Sequence, residues 1–128
     1  MSEALDEVTR ASATPAALAL LRELRAEHGP LILHQSGGCC DGSAPMCYPA
    51  SEFKIGGRDV LLADLEGVSY WIGGAQFEHW KHTHLTVDVV PGRGAGFSLE
   101  APRGLRFLVR SRVLSTEEIA TLEAREAR

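Results

Sequence analysis

The sequence predicts an α+β fold, a mainly antiparallel β-sheet or small β-sandwich flanked by one N-terminal and one C-terminal helix. Three observations carry this. A single capped amphipathic segment opens the ordered part of the chain, about six or seven short β-like runs follow it with no crossover helix between them, and a second capped segment closes it. At 128 residues, of which 45% are hydrophobic and 23% charged, the chain fits one domain with one core. Residues 1–12 read as a mobile tail and 13–128 as that domain.

The first helix begins at Thr14, a residue able to cap it, with Pro15 in the first turn. Ala17, Leu18, Leu21 and Leu24 then recur at helical spacing until Gly29-Pro30 stops it. Leu31 to His34 is a short apolar run, read as a buried strand. Glu52 to Ile55 and Arg58 to Ala63 flank Gly56-Gly57, a link suited to a tight hairpin. Val68 to Ile72 is aromatic and β-branched. His84 to Val90 alternates, with Leu85, Val87 and Val89 on one side and His84, Thr86 and Asp88 on the other. Ala95 to Glu100 and Leu105 to Val113 supply two further strands around Pro102-Arg103-Gly104. Ser115 and Glu118 then form a capping box for a closing helix whose apolar face holds Ile119 and Leu122.

A formal net charge of −4 excludes a general nucleic-acid binder, which carries a basic domain or stripe. The local exception, Arg103, Arg106, Arg110 and Arg112, reads as a solvated or ion-paired strand face. No apolar run reaches the length of a membrane span and residues 1–10 contain no apolar leader core, which points to a cytoplasmic protein with no membrane partner. Half-buried sheets and a narrow terminal helix suit a homodimer.

All three cysteines, Cys39, Cys40 and Cys47, fall within nine positions. They lie in a Gly, Ser and Pro-rich stretch from Gly37 to Tyr48 that directly follows the Leu31 to His34 strand. In a reducing compartment such cysteines are free, metal-bound or redox-active rather than a disulfide set. Its spacing is not that of a zinc finger. His82 and His84 share one face if their segment is extended, together with Trp80, and His34 precedes the cysteine stretch. The candidate ligand set is therefore Cys39, Cys40, Cys47, His82, His84 and His34, a mixed sulfur and nitrogen site suited to zinc or iron. Motifs for phosphate loops, dinucleotide folds and serine hydrolase elbows are absent.

The runs His34-Gln35-Ser36-Gly37-Gly38-Cys39-Cys40-Asp41-Gly42-Ser43-Ala44-Pro45-Met46-Cys47-Tyr48-Pro49 and Gln76 to Glu100 resemble the bacterial family grouped as domain of unknown function 779. Genes of that family often stand beside aldehyde dehydrogenase genes, so the resemblance implies an accessory role in aldehyde or alcohol oxidation, with an aldehyde dehydrogenase as partner. The order of strand, Gly-Gly-Cys stretch, hairpin and Gly96-Phe97-Ser98-Leu99-Glu100-Ala101-Pro102 also resembles A-type iron-sulfur carriers (HesB-like). That likeness matches Cys39 or Cys40 to the carriers' first cysteine, but no thiol follows Pro102, which disfavours an iron-sulfur cluster. The leading expectation is a zinc- or iron-binding accessory protein. The alternatives are a small cysteine enzyme acting on a reactive aldehyde or its thiol adduct, and a non-catalytic module that binds a dehydrogenase.

Overall fold

The computed structural model describes residues 9–35, 45–52, 56–92 and 98–126. In chain order these form β1 (Ala11–Ala13), α1 (Pro15–His28), β2 (Leu31–Gln35), β3 (Met46–Pro49), β4 (Asp59–Leu65), β5 (Val68–Gly73), α2 (Gly74–Trp80), β6 (Thr83–Pro91), β7 (Leu105–Val113) and α3 (Thr116–Glu126). The fold is α+β, as the patterning predicts. Two sheets hold the strands, a three-stranded one in the order β1-β6-β7 and a four-stranded one in the order β3-β2-β5-β4. Antiparallel ladders dominate, with one parallel pair in each sheet, β1 with β6 and β2 with β5.

Helix α1 starts where its caps place it. The Thr14 hydroxyl accepts from the Ala17 N–H, and Gly29 ends the helix at φ 81, a left-handed backbone that glycine adopts without a Cβ clash. Ala17, Leu20, Leu21 and Leu24 face inward and join Leu33, Cys47, Tyr70 and Ile72 of one sheet to Leu85, Val87, Phe107 and Val109 of the other in a single core. At α3 the capping box is complete: Glu118 N–H donates to the Ser115 hydroxyl, and Glu118 Oε1 accepts from Ser115 N–H.

Four expectations change. The segment read as a tail already contains Arg10 and Ala11, which are buried, and β1, which pairs with β6. Its three residues are too few to carry a period. A tight hairpin lies at Glu66-Gly67, while the first arm of the one expected at Gly56-Gly57 falls, from 53 to 55, outside the described residues. Leu65 pairs with Val68, both turn residues have positive φ, and Asp64 Oδ1 accepts from Gly67 N–H, the geometry that best follows strand twist. Met46–Pro49, within the stretch read as a loop, is a strand, while Ser98 to Glu100, at the end of an expected strand, form a turn. Finally, Gly74–Trp80 is helical, so Trp80 and His82 do not continue the β6 face. Among the described residues no helix is long and apolar enough to cross a membrane.

The outer face of the three-stranded sheet is polar. Pairing sets Arg112 opposite His84, and the Leu85 N–H bond to Arg10 O places Arg10 beyond it, so Arg112, His84 and Arg10 form one row. Helix α3 crosses this row. Its Glu118 takes both terminal nitrogens of Arg112 at 2.9 Å, and two turns later Glu126 takes Arg10, with 2.8 Å between Arg10 Nη2 and Oε1. Eight residues of helix span about 12 Å, close to the roughly 10 Å across three neighbouring strands. Two more arginines of the expected stripe are ion-paired too, Arg110 with Asp88 and Arg103 with Glu23 and Glu27.

Candidate functional site

Strand register decides which of the candidate ligands meet. Leu33 pairs with Cys47 and with Tyr70, so these three side chains stand together on the inner face of the four-stranded sheet, all of them fully buried. His34 is one residue further along and pairs with Met46 and Trp71. Alternation therefore turns its ring to the opposite face from Cys47. There its Nε2 lies 3.0 Å from Asp59 Oδ1, and that bond, with a second from Gly56 N–H, holds the Asp59 carboxyl below its usual range.

The other two histidines sit on the second sheet. His84 alternates with the inward Leu85 and so faces outward. Both of its ring nitrogens are engaged, Nδ1 with the Thr9 carbonyl at 2.7 Å and Nε2 with the Ser12 hydroxyl at 2.9 Å. His82 is exposed in the turn before β6, where its carbonyl accepts from Leu114 N–H. Thus His34, His82 and His84 do not converge with Cys47 or with one another, and the described residues contain no group of three or more His, Cys, Asp or Glu side chains able to hold one metal ion. Cys39 and Cys40 lie outside the described residues.

What Cys47 does meet is an acid. Its own N–H donates to Ser98 Oγ at 2.8 Å, and its carbonyl accepts from Leu99 N–H at 3.1 Å, so the turn at residues 98–99 is held against β3. The Ser98 hydroxyl donates in turn to Glu100 Oε1, while Glu100 Oε2 accepts from Phe107 N–H at 3.3 Å. Glu100 has no exposed surface, and among the described residues no lysine or arginine neutralises it. Burial first, and the Glu100 charge second, push the Cys47 thiol up to about 12. A thiol held protonated in this way is a poor nucleophile, so a cysteine-enzyme role for Cys47 is disfavoured.

Glu100 and Ser98 were not among the candidates read from the sequence. The available signal was a carboxylate set in the largely apolar run Phe97-Ser98-Leu99-Glu100-Ala101-Pro102, because acids inside apolar runs are rarely buried without a reason. Ser12 was equally silent, a small polar residue between two alanines.

A family model described as domain of unknown function (DUF779) matches residues 20–113. The chain belongs to this family. The matched span includes Cys39, Cys40, Cys47 and Glu100, and it stops short of β1 and α3. No curated protein and no solved structure matches the chain.

Proposed function

We propose that this member of the family is a metal-binding accessory protein that holds zinc or iron through cysteine thiolates, with Cys47 as the buried anchor and Cys39 and Cys40 as its partners, and that it serves an aldehyde or alcohol dehydrogenase. The observation that supports this reading is the fully buried Cys47 thiol beside the fully buried Glu100 carboxylate, which no lysine or arginine pairs with among the described residues. Two acidic groups in one core strain electrostatically unless one keeps its proton or a cation arrives. A divalent ion resolves both, because a coordinating thiol gives up its proton and the carboxylate gains a counter-charge. Sulfur with one carboxylate suits zinc and ferrous iron. The Ser98 hydroxyl orients the pair, since it accepts from the Cys47 N–H and donates to Glu100.

The histidines leave this set because His34 and His84 bond to other partners on faces away from Cys47, and His82 is exposed in a turn. The dehydrogenase role rests on the gene neighbourhood implied by the family resemblance and is tested separately, by co-purification with the dehydrogenase from the native host. Metal analysis of the full chain, purified from that host without chelators, tests the site. About one equivalent of zinc or iron is expected, lost in Cys47→Ser and reduced in Glu100→Gln. Unmutated protein without stoichiometric metal overturns the proposal.

A further inference from the structure

A second constellation stands on the other sheet. Ser12 of β1 and His84 of β6 are joined by a 2.9 Å bond between Oγ and Nε2, and His84 Nδ1 lies 2.7 Å from the Thr9 carbonyl. A carbonyl only accepts, so Nδ1 carries a proton, and in the neutral tautomer this leaves Nε2 to accept the Ser12 hydroxyl proton. This is the relation of a nucleophile to an oriented general base. Beside it lies a cavity of about 340 Å³ whose wall includes Thr9 and Ser12, the two partners of the imidazole.

The cavity matches a class of substrate. Ala11, Ala13, Leu18 and Leu65 give it an apolar part large enough for a short acyl chain, and Asp64 and Glu66 give it an acidic rim that repels free carboxylates. Strand β1 is an edge strand. Arg10 and Thr14 bond to β6 through Leu85 N–H and Val87 O, so alternation turns the N–H groups of Ala11 and Ala13 away from β6, toward the free edge of β1. Ala11 is buried and Ala13 only half-buried, which leaves the Ala13 N–H as the donor for a developing oxyanion.

We propose that Ser12 and His84 form a nucleophile and base that hydrolyse small neutral esters with short apolar acyl chains. Ser12 Oγ bonds to the ester carbonyl carbon as its proton passes to His84 Nε2. The ester C–O bond then breaks and the alcohol leaves with that proton. Water next gives a proton to His84 and its oxygen to the acyl carbon. Ser12 recovers its proton as the carboxylic acid departs, so the sum is ester plus water giving acid plus alcohol. This activity is independent of the metal site.

Full-length protein treated with a fluorophosphonate, followed by peptide mass analysis, tests it. Ser12 should label at least about tenfold faster than the exposed Ser51, in line with the gain general-base activation supplies. Hydrolysis of p-nitrophenyl butyrate should fall by a similar factor in Ser12→Ala and in His84→Gln. Equal labelling of Ser12 and Ser51 in the unmutated, folded protein overturns the proposal, and this readout does not depend on whether any variant folds. Hydrolysis undiminished in a folded Ser12→Ala variant overturns it as well.

Discussion

Replacing Arg10 with alanine should destabilise the protein more than any surface ion pair in it. The Arg10 side chain is only 8% exposed, although its partner Glu126 is 48% exposed. It donates to the Lys81 carbonyl at 2.7 Å, grips Glu126 with two nitrogens, and stands 4.9 Å from the centre of the Phe77 ring. A charged donor to a carbonyl contributes about 1.5 kcal/mol, and a partly desolvated cation over a ring about 1 kcal/mol. The pair with a half-exposed carboxylate, discounted for screening, adds about 0.5 kcal/mol. Arginine regains hydration on unfolding, which offsets part of this sum, so the expected loss is about 2 kcal/mol. For a domain of this size that lowers Tm by roughly 8 °C. Thermal and urea unfolding of Arg10→Ala, Glu126→Ala and the double variant measure it. Glu126→Ala should cost about 0.5 kcal/mol, with a coupling of similar size in the double-mutant cycle. Arg22, whose pair with Glu66 is exposed on both sides, is the control and should be near neutral. If Arg10→Ala costs no more than Arg22→Ala, the clasp between β1, α2 and α3 is not the structural element argued above.

Two further outcomes follow from local geometry. Glu118 is held at about 2, chiefly by its bonds to Arg112 and next by the Ser115 N–H, and Glu126 is lowered by Arg10. A carboxylate depressed in the folded state stabilises it fully above its unfolded value, and loses that contribution as pH falls toward the folded value. Amides of α3 should therefore lose exchange protection between about pH 4.5 and 2, ahead of those in β6, with the change smaller in Glu118→Gln; simultaneous loss with an unaltered profile contradicts it. Gly74→Ala should cost about 1 to 3 kcal/mol, because a Cβ there stands 2.5 Å from the Arg58 carbonyl oxygen, whereas Gly57→Ala meets nothing within 4 Å and should be neutral. Equal melting of the two variants refutes the contact.

Where the local chemistry was self-sufficient, the fold was legible. Thr14 and Gly29 bracket α1, Ser115 and Glu118 open α3, and alternation marks β6, because each of these signals is completed within a few residues. Strand β1 and helix α2 were not legible, since their stability comes from partners far along the chain. Ala11 needs Leu85, and the seven residues of α2 sit between Arg58 and Arg10. The placing of the candidate histidines was not legible for a related reason. His34 and Cys47 belong to one sheet, yet whether they share a face depends on register, and a slip of one residue reverses it. Nothing in the stretch from Gln35 to Met46 encodes that register in a form that spacing alone reveals. Glu100 entered the site through the turn at Ser98 to Glu100, which the sequence presents as strand.

The clasp also sets a timetable. Arg10 and Glu126 are 116 residues apart, and at about 5 to 20 residues per second the ribosome delivers the second roughly 6 to 23 s after the first. Throughout that interval β1 has neither its carboxylate nor, until β6 emerges, a strand to pair with. Helix α1 and the four-stranded sheet form from earlier segments. Nascent chains stalled before residue 126 should therefore be cut by protease near residue 10 while α1 stays protected, and β1 should gain protection last, as the final turn of α3 closes over it.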